Sequence, residues 1–221
     1  MVDQLFQTSS HIDQIVRYQS NVRYHHRPLY LSILSGLPTL TQLFIAHLED
    51  LGYGYDPTAP ICLILDAPHS FAWQALARSH SHHPDARRIV ATSSQCPEYL
   101  EDLWDMGLDG LVTDGHNAHA LETTLAHVSQ GVPYRVCSTH PTCLTPRERH
   151  VLRLLADGFS PKDIAACLSL AHQSVKNTVA TVYAKLGVAN QREAMRYYWG
   201  IGSHASQGIE TPPVQCHNQY A

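Results

Sequence analysis

Residues 144 to 199 read LTPRERHVLRLLADGFSPKDIAACLSLAHQSVKNTVATVYAKLGVANQREAMRYYW, and the helices in this stretch can be marked from their ends. Thr145, Pro146 and Glu148 form a helix start. The hydroxyl caps the first turn, the proline takes the first helical position, where its missing N–H costs nothing, and the glutamate closes a capping box. Val151, Leu152, Leu154 and Leu155 give an apolar face that stops at Gly158. Ser160, Pro161 and Asp163 repeat the start, with Ile164, Ala165 and Leu168 directed inward. A third helix is predicted from about Gln173 to Leu186, its core face formed by Val175, Val179, Val182 and Leu186, with Gly187 ending it. Asn190 to Tyr198 reads as a fourth.

Two short capped helices followed by one whose exposed face carries Ser174, Lys176, Asn177, Thr178, Ala180 and Thr181 have the layout of a helix-turn-helix. In detail the stretch closely resembles the LuxR/FixJ-type DNA-binding domain. The matching residues are LTPRE, LLADG, Ser160 with Lys162, Ile164 and Ala165, VKN, and AKLGV followed by Asn190, Arg192 and Ala194. The resemblance implies double-stranded DNA as partner, with the third helix in the major groove. Lys176 and Asn177 would then meet base edges or neighbouring phosphates, and Thr178, Ala180 and Thr181 would lie along the same side. At positions matching the family's phosphate contacts stand Ser160, Lys162, Ser174 and Lys185. Ser160 is equally a cap, and Lys185 suits the carboxyl end of a helix dipole.

Family dimers form through the fourth helix, so a homodimer is expected, with Met195, Tyr198 and Trp199 serving either that interface or the domain core. Two positions depart from the pattern. Ala171 and His172 stand where a Ser or Thr usually caps the recognition helix, a loss of roughly 0.5–2 kcal/mol if nothing replaces it, and Thr178 stands where a histidine is common.

Upstream, residues 29 to 135 alternate short apolar runs (Leu29 to Leu34, Ile61 to Leu65, Arg88 to Thr92, Gly110 to Val112) with amphipathic segments (Thr39 to Leu51, Phe71 to His80, Pro97 to Met106, Ala118 to Gln130). That order predicts a parallel sheet with helices on both faces. The segment resembles a response-regulator receiver domain: Asp66 ends the ILD run at the phosphoacceptor position, Thr92 matches the hydroxyl after the fourth strand, and GLDGLV and GVPY resemble the closing segments. The fold class expected is therefore a shortened, flavodoxin-like α/β domain joined to an all-α helix-turn-helix domain.

The resemblance also shows what is missing. Ser35 and Gly36 replace the acidic pair that helps hold Mg²⁺, and Thr113 replaces the lysine that contacts the phosphoryl group. Mg²⁺ takes an octahedral oxygen shell anchored by carboxylates, and Asp66 supplies one. We therefore read Asp66 as a vestigial acceptor with a structural or capping role, and expect no cofactor and no metal. Between Gly52 and Asp66 there is too little chain for the family's second strand and second helix, so one flank of the sheet is expected to be open. A short helix around Ile12 to Val16 is expected to cover it.

Charge separates the two parts. Residues 144–200 carry 8 Lys and Arg against 4 acids, a net +4, whereas residues 1–143 carry 7 against 14, a net −7. One part can face phosphate and the other is suited to regulation, by a protein or a small ligand acting on residues 1–135. The longest apolar runs fall far short of the ~20 residues of a membrane span, and no basic-then-apolar leader opens the sequence, so a cytoplasmic location without membrane contact is expected. The 6 cysteines form no CxxC pair and are read as reduced thiols. The histidine groups at 25–26 and 80–83 are read as solvated surface.

The domains expected are an arm (1–28), the receiver-like domain (29–135), a linker (136–143) across which the domains can move, the DNA-binding domain (144–200) and a disordered tail (201–221). No nucleophile with a positioned base is visible, so an enzyme is not expected. The sequence points to a sequence-specific transcriptional regulator. A phosphorylation-dependent response regulator using Asp66 and a protein-interaction adaptor are the alternatives.

Overall fold

The computed structural model describes residues 29–79, 85–113, 118–136 and 141–201. The expected helix at Ile12 to Val16, the tail and the 25–26 and 80–83 histidines lie outside them.

Six parallel strands make one sheet: β1 (Tyr30–Ser35), β2 (Gly54–Tyr55), β3 (Ile61–Leu65), β4 (Arg87–Ala91), β5 (Gly110–Val112) and β6 (Tyr134–Val136), in the order β2-β1-β3-β4-β5-β6. The central strand β3 is buried at every residue, as expected for a strand covered on both faces. On one face Leu31, Ile33, Leu63, Ile89 and Val112 pack under α1 (Pro38–Asp50) and α4 (Ala118–Ser129). On the other, Cys62, Ile64, Val90 and Leu111 pack under α2 (Phe71–Ser79) and α3 (Pro97–Asp105).

Two features differ from the sequence reading. The second strand survives as two residues, and only the helix after it is gone, because β2 passes to β3 through Asp56 to Pro60, a turn in which Asp56 accepts bonds from the Thr58 N–H and hydroxyl at 2.8 and 2.7 Å. On the flank expected to be open, Tyr30 and Leu34 of β1 are 49% and 38% exposed. The second difference is β6. The expected linker began at Val136, but Tyr134 to Val136 pair in register with Gly110 to Val112, so the sheet gains an edge strand. Three residues with half-buried side chains are too short a signal to read from periodicity.

The C-terminal unit consists of α5 (Pro146–Ala156), α6 (Pro161–Cys167), α7 (His172–Leu186) and α8 (Gln191–Tyr198). Its own core is Val151, Leu155, Ile164, Ala165, Val175 and Val179. Its other apolar side, Leu144, Leu152, Ala156, Val182, Ala194 and Tyr198, is continuous with the α2/α3 face of the sheet domain. In the structure the two domains meet through this shared core.

Candidate nucleic-acid interface

The capping chemistry read from the sequence is present. Thr145 and Glu148 exchange bonds at the start of α5 (Glu148 N–H to Thr145 Oγ1, 3.3 Å; Thr145 N–H to Glu148 Oε2, 2.8 Å), and Ser160 with Asp163 does the same at α6. Asn190 caps α8 by accepting the Glu193 N–H at 3.0 Å. The start of α7 has Ala171 at the cap position and no side-chain cap bond, as its sequence implies. Gly187 closes α7 at φ 66°, the left-handed conformation in which a side chain is strained.

These ends fix the rotation of α7. Val175, Val179 and Val182 are buried, so Gln173, Ser174, Lys176, Asn177, Ala180 and Thr181 are exposed and Thr178 is half-buried. Ser160 is half-buried and Lys162 exposed at the neighbouring start of α6. Most of the candidate residues are therefore open to solvent. Several already have local partners: Thr178 and Thr181 donate their hydroxyls to the carbonyls of Ser174 and Asn177, each at 3.0 Å, and the Ser160 hydroxyl donates to Asp163 at 2.6 Å.

Lys185 fits least well. Its ammonium donates to Glu148 at 2.8 and 3.0 Å, which spends much of the charge a phosphate would use. Burial of Glu148 works against ionisation, but Lys185 and the Thr145 N–H outweigh it and hold the carboxyl below the usual range. A carboxyl depressed in the folded state stabilises above its unfolded pKa and loses that contribution as pH falls through the folded one. The acid limb of a stability-against-pH curve should therefore flatten in Glu148→Gln, and an unchanged limb would show that the pair carries no weight.

Against α5 and α8, α3 presents a row of acids that holds the unit to the sheet domain. Glu98 accepts from the hydroxyls of Thr142 and Tyr197, each at 2.7 Å. Asp102 accepts from the Tyr198 hydroxyl at 2.7 Å and from Arg149 Nε at 3.1 Å, while the rest of the Arg149 guanidinium reaches Asp105. The Arg153 guanidinium lies 4.2 Å from the centroid of the Trp73 ring. Burial pushes the Asp102 carboxyl up despite the Tyr198 and Arg149 bonds, whereas desolvation of Arg149 is outweighed by Asp102 and Asp105. A buried pair whose desolvation is only partly offset fixes geometry more than it adds stability. Neither the row nor its partners stood out in the sequence, because charges 98, 102 and 105 look like any solvated helix face until something docks on them.

Tyr198 and Trp199, left open between dimer interface and core, are used within the chain. Tyr198 is fully buried, and Trp199 donates its indole N–H to the Ala156 carbonyl at 2.9 Å. Both rings stand edge-on to Tyr99, at 5.7 and 5.8 Å between centroids.

Tyr99 leads to the acceptor position. Asp66 is 7% exposed. Its Oδ1 accepts the Ala72 N–H at 2.9 Å, in the first turn of α2, and its Oδ2 accepts the hydroxyls of Thr92 at 2.8 Å and Tyr99 at 2.9 Å. His69 is 3.7 Å from the same oxygen, and its ring faces Trp199 with 6.0 Å between centroids. At Gly36 a Cβ would fall 2.6 Å from Pro68 Cδ and 2.9 Å from Phe71, so the loop after β1 has no room for a carboxylate side chain there. Thr113 is 2% exposed and donates to the Val136 carbonyl of β6 at 3.4 Å. Among the described residues no group of three or more His, Cys, Asp or Glu side chains is placed to hold a metal ion, and no helix is long and apolar enough to cross a membrane.

An open helix-turn-helix carried on a parallel, doubly wound sheet defines a class, and sequence comparison agrees: residues 142–198 match the bacterial regulatory proteins, luxR family. That segment is a luxR-family helix-turn-helix domain, and the six-stranded domain before it is receiver-like. Among curated relatives, response regulator RamR of Streptomyces coelicolor is 31% identical over 123 residues, covering 52% of this chain and 61% of the relative. Transcriptional regulatory protein RcsB of Escherichia coli is 27% identical over 128 residues, covering 52% and 59%. The match thus spans about three fifths of each relative's length. The solved structure of RcsB from Salmonella enterica serovar Typhimurium bound to a promoter superimposes with a TM-score of 0.50 at 20% identity, covering 80% of this chain and all of that one, which supports the shared fold.

Proposed function

We propose that this chain is a sequence-specific DNA-binding transcriptional regulator whose receiver-like domain works without phosphorylation of Asp66. The observation that carries the first half is that Lys176, Asn177, Ala180 and Thr181 of α7 and Lys162 of α6 are exposed, while α5 and α8 are the helices bonded to α3. An exposed recognition helix on a net-positive unit is what major-groove entry requires.

The second half rests on the acceptor pocket. Both Asp66 oxygens are occupied by internal donors, the acidic pair is replaced by Ser35 and a sterically closed Gly36, and the lysine position is a buried Thr113. A phosphoryl transfer would lack both its metal shell and its charge neutralisation. Control by a protein partner, a small ligand at the sheet domain or expression level fits such a domain. We further propose a homodimer on paired half-sites. Because Tyr198 and Trp199 are committed within the chain, pairing through α8 would use Arg192, Met195 and Arg196.

Mapping of bound DNA across the genome tests the first half. Lys176→Ala should lose occupancy across sites, and occupancy equal to the parent's would reject the assigned recognition helix in favour of an adaptor. Incubation with a small phosphodonor and Mg²⁺ tests the second. Intact mass should stay unchanged, and one added phosphoryl group removed by Asp66→Asn would return the protein to the phosphorylated class.

A further inference from the structure

Gln173 lies on the outermost ridge of α7. With Val175, Val179 and Val182 facing the core, the residues at three-and-four spacing on the far side are Gln173, Asn177, Ala180 and Ala184, all exposed. Ala180 and Ala184 carry no hydrogen-bonding side chain. The neighbouring Thr181 hydroxyl is already donated to the Asn177 carbonyl. The polar content of the ridge is therefore Gln173 and Asn177, and these are joined: Gln173 Nε2 donates to Asn177 Oδ1 at 3.0 Å.

Linking two amides changes what they offer. The shared bond uses one N–H of Gln173 and one lone pair of the Asn177 carbonyl, which holds the two amides against each other and leaves the Gln173 carbonyl as a free acceptor and the Asn177 N–H₂ as a free donor on the ridge, with the second Gln173 N–H beside them. Reversing both amides leaves the same complement. In the major groove adenine presents N7 as acceptor beside N6–H₂ as donor, whereas guanine presents two acceptors, N7 and O6. Adenine satisfies the pair, and guanine leaves its carbonyl facing another acceptor, a desolvated group without a donor.

We propose that Gln173 is a specificity-determining residue, and that the Gln173–Asn177 pair acts as one unit selecting adenine at one position of each half-site. This rests on the DNA-binding reading above and specifies its target. Lys176, on the flank of the ridge, supplies charge and register.

The test is selection of bound duplexes from a randomised library with the full chain, its Gln173→Ala and Asn177→Ala variants, and Lys176→Ala. The parent should enrich a motif with a near-invariant adenine, and each amide variant should lose the preference at that position alone. Affinity for the parent's motif should fall roughly tenfold in each, with the double variant little worse than either single one, since the two act together. Replacing that adenine by 7-deazaadenine, which lacks the N7 acceptor, should weaken the parent but leave Asn177→Ala unaffected.

A motif whose preferences survive in both amide variants, or one with guanine at the position they affect, overturns the proposal while leaving DNA recognition intact. A parent that enriches no motif overturns the DNA-binding reading itself, and this proposal with it. Both residues are exposed, so unchanged helicity of the variants separates loss of readout from loss of fold.

Discussion

Arg149→Ala is expected to destabilise the protein by about 3–5 kcal/mol, the range for removing one partner of a buried ion pair, which is on the order of 10 °C in melting temperature for a chain of this size. Arg149 is 6% exposed and reaches two carboxylates of α3. Without it Asp102 loses its guanidinium partner inside a core that both domains share, and keeps the Tyr198 hydroxyl. Thermal or denaturant unfolding measures the loss. Because the interface is common to both domains, the parent should unfold in one transition and the variant in two, as the sheet domain and the helical unit part. Lys162→Ala, exposed on α6, serves as a control within about 0.5 kcal/mol. A change below 1 kcal/mol in Arg149→Ala would mean that the domains do not dock in solution through α3.

Asp66→Ala should be nearly as costly, and for a reason that separates a structural aspartate from a signalling one. The carboxylate caps α2 through the Ala72 N–H and accepts the Thr92 and Tyr99 hydroxyls in a pocket closed to solvent. A lost cap contributes roughly 0.5–2 kcal/mol and each stranded donor about 1–3 kcal/mol, so a total of about 3–5 kcal/mol is expected. Asp66→Asn keeps a carbonyl oxygen and should recover part of it. Loss of stability without any requirement for a phosphodonor in DNA binding is the expected pattern. A variant as stable as the parent but unable to respond to a phosphodonor would instead identify Asp66 as a working acceptor. Tyr99 joins this pocket to the Tyr198 and Trp199 rings, so the same substitution should perturb tryptophan fluorescence from the helical unit.

Much of this was legible in the residues. Capping boxes are local: Thr145 with Glu148 and Ser160 with Asp163 satisfy backbone groups within one turn, and their spacing carries over unchanged into the structure. Gly187 ends α7 for an equally local reason. Alternating apolar runs and amphipathic segments carried the α/β order, and the absence of a helix between Gly52 and Asp66 followed from the short chain there set against the receiver family's, whereas the two-residue β2 did not. The exposure of Lys176, Asn177, Ala180 and Thr181 was legible because core periodicity sets the rotation of a helix.

What resisted the sequence was everything decided by distant partners. The residues of β6 have no alternation to read, and their strand exists because β5 offers an edge. Glu98, Asp102 and Asp105 have the pattern of a solvated face and become an interface only when Arg149, Tyr197 and Tyr198 arrive from residues 44 to 99 positions away. Tyr198 and Trp199 were equally suited to a dimer or a core, since an apolar stripe records that it is buried but not by what. The sequence by itself determined the helices of the C-terminal unit, their caps and the exposed face of α7, all set by contacts within a turn. Tertiary structure alone decided that the reading unit is docked through α3, that Lys185 is paired with Glu148, and that Asp66 is sealed beneath Tyr99, because each depends on which surfaces the chain buries against one another.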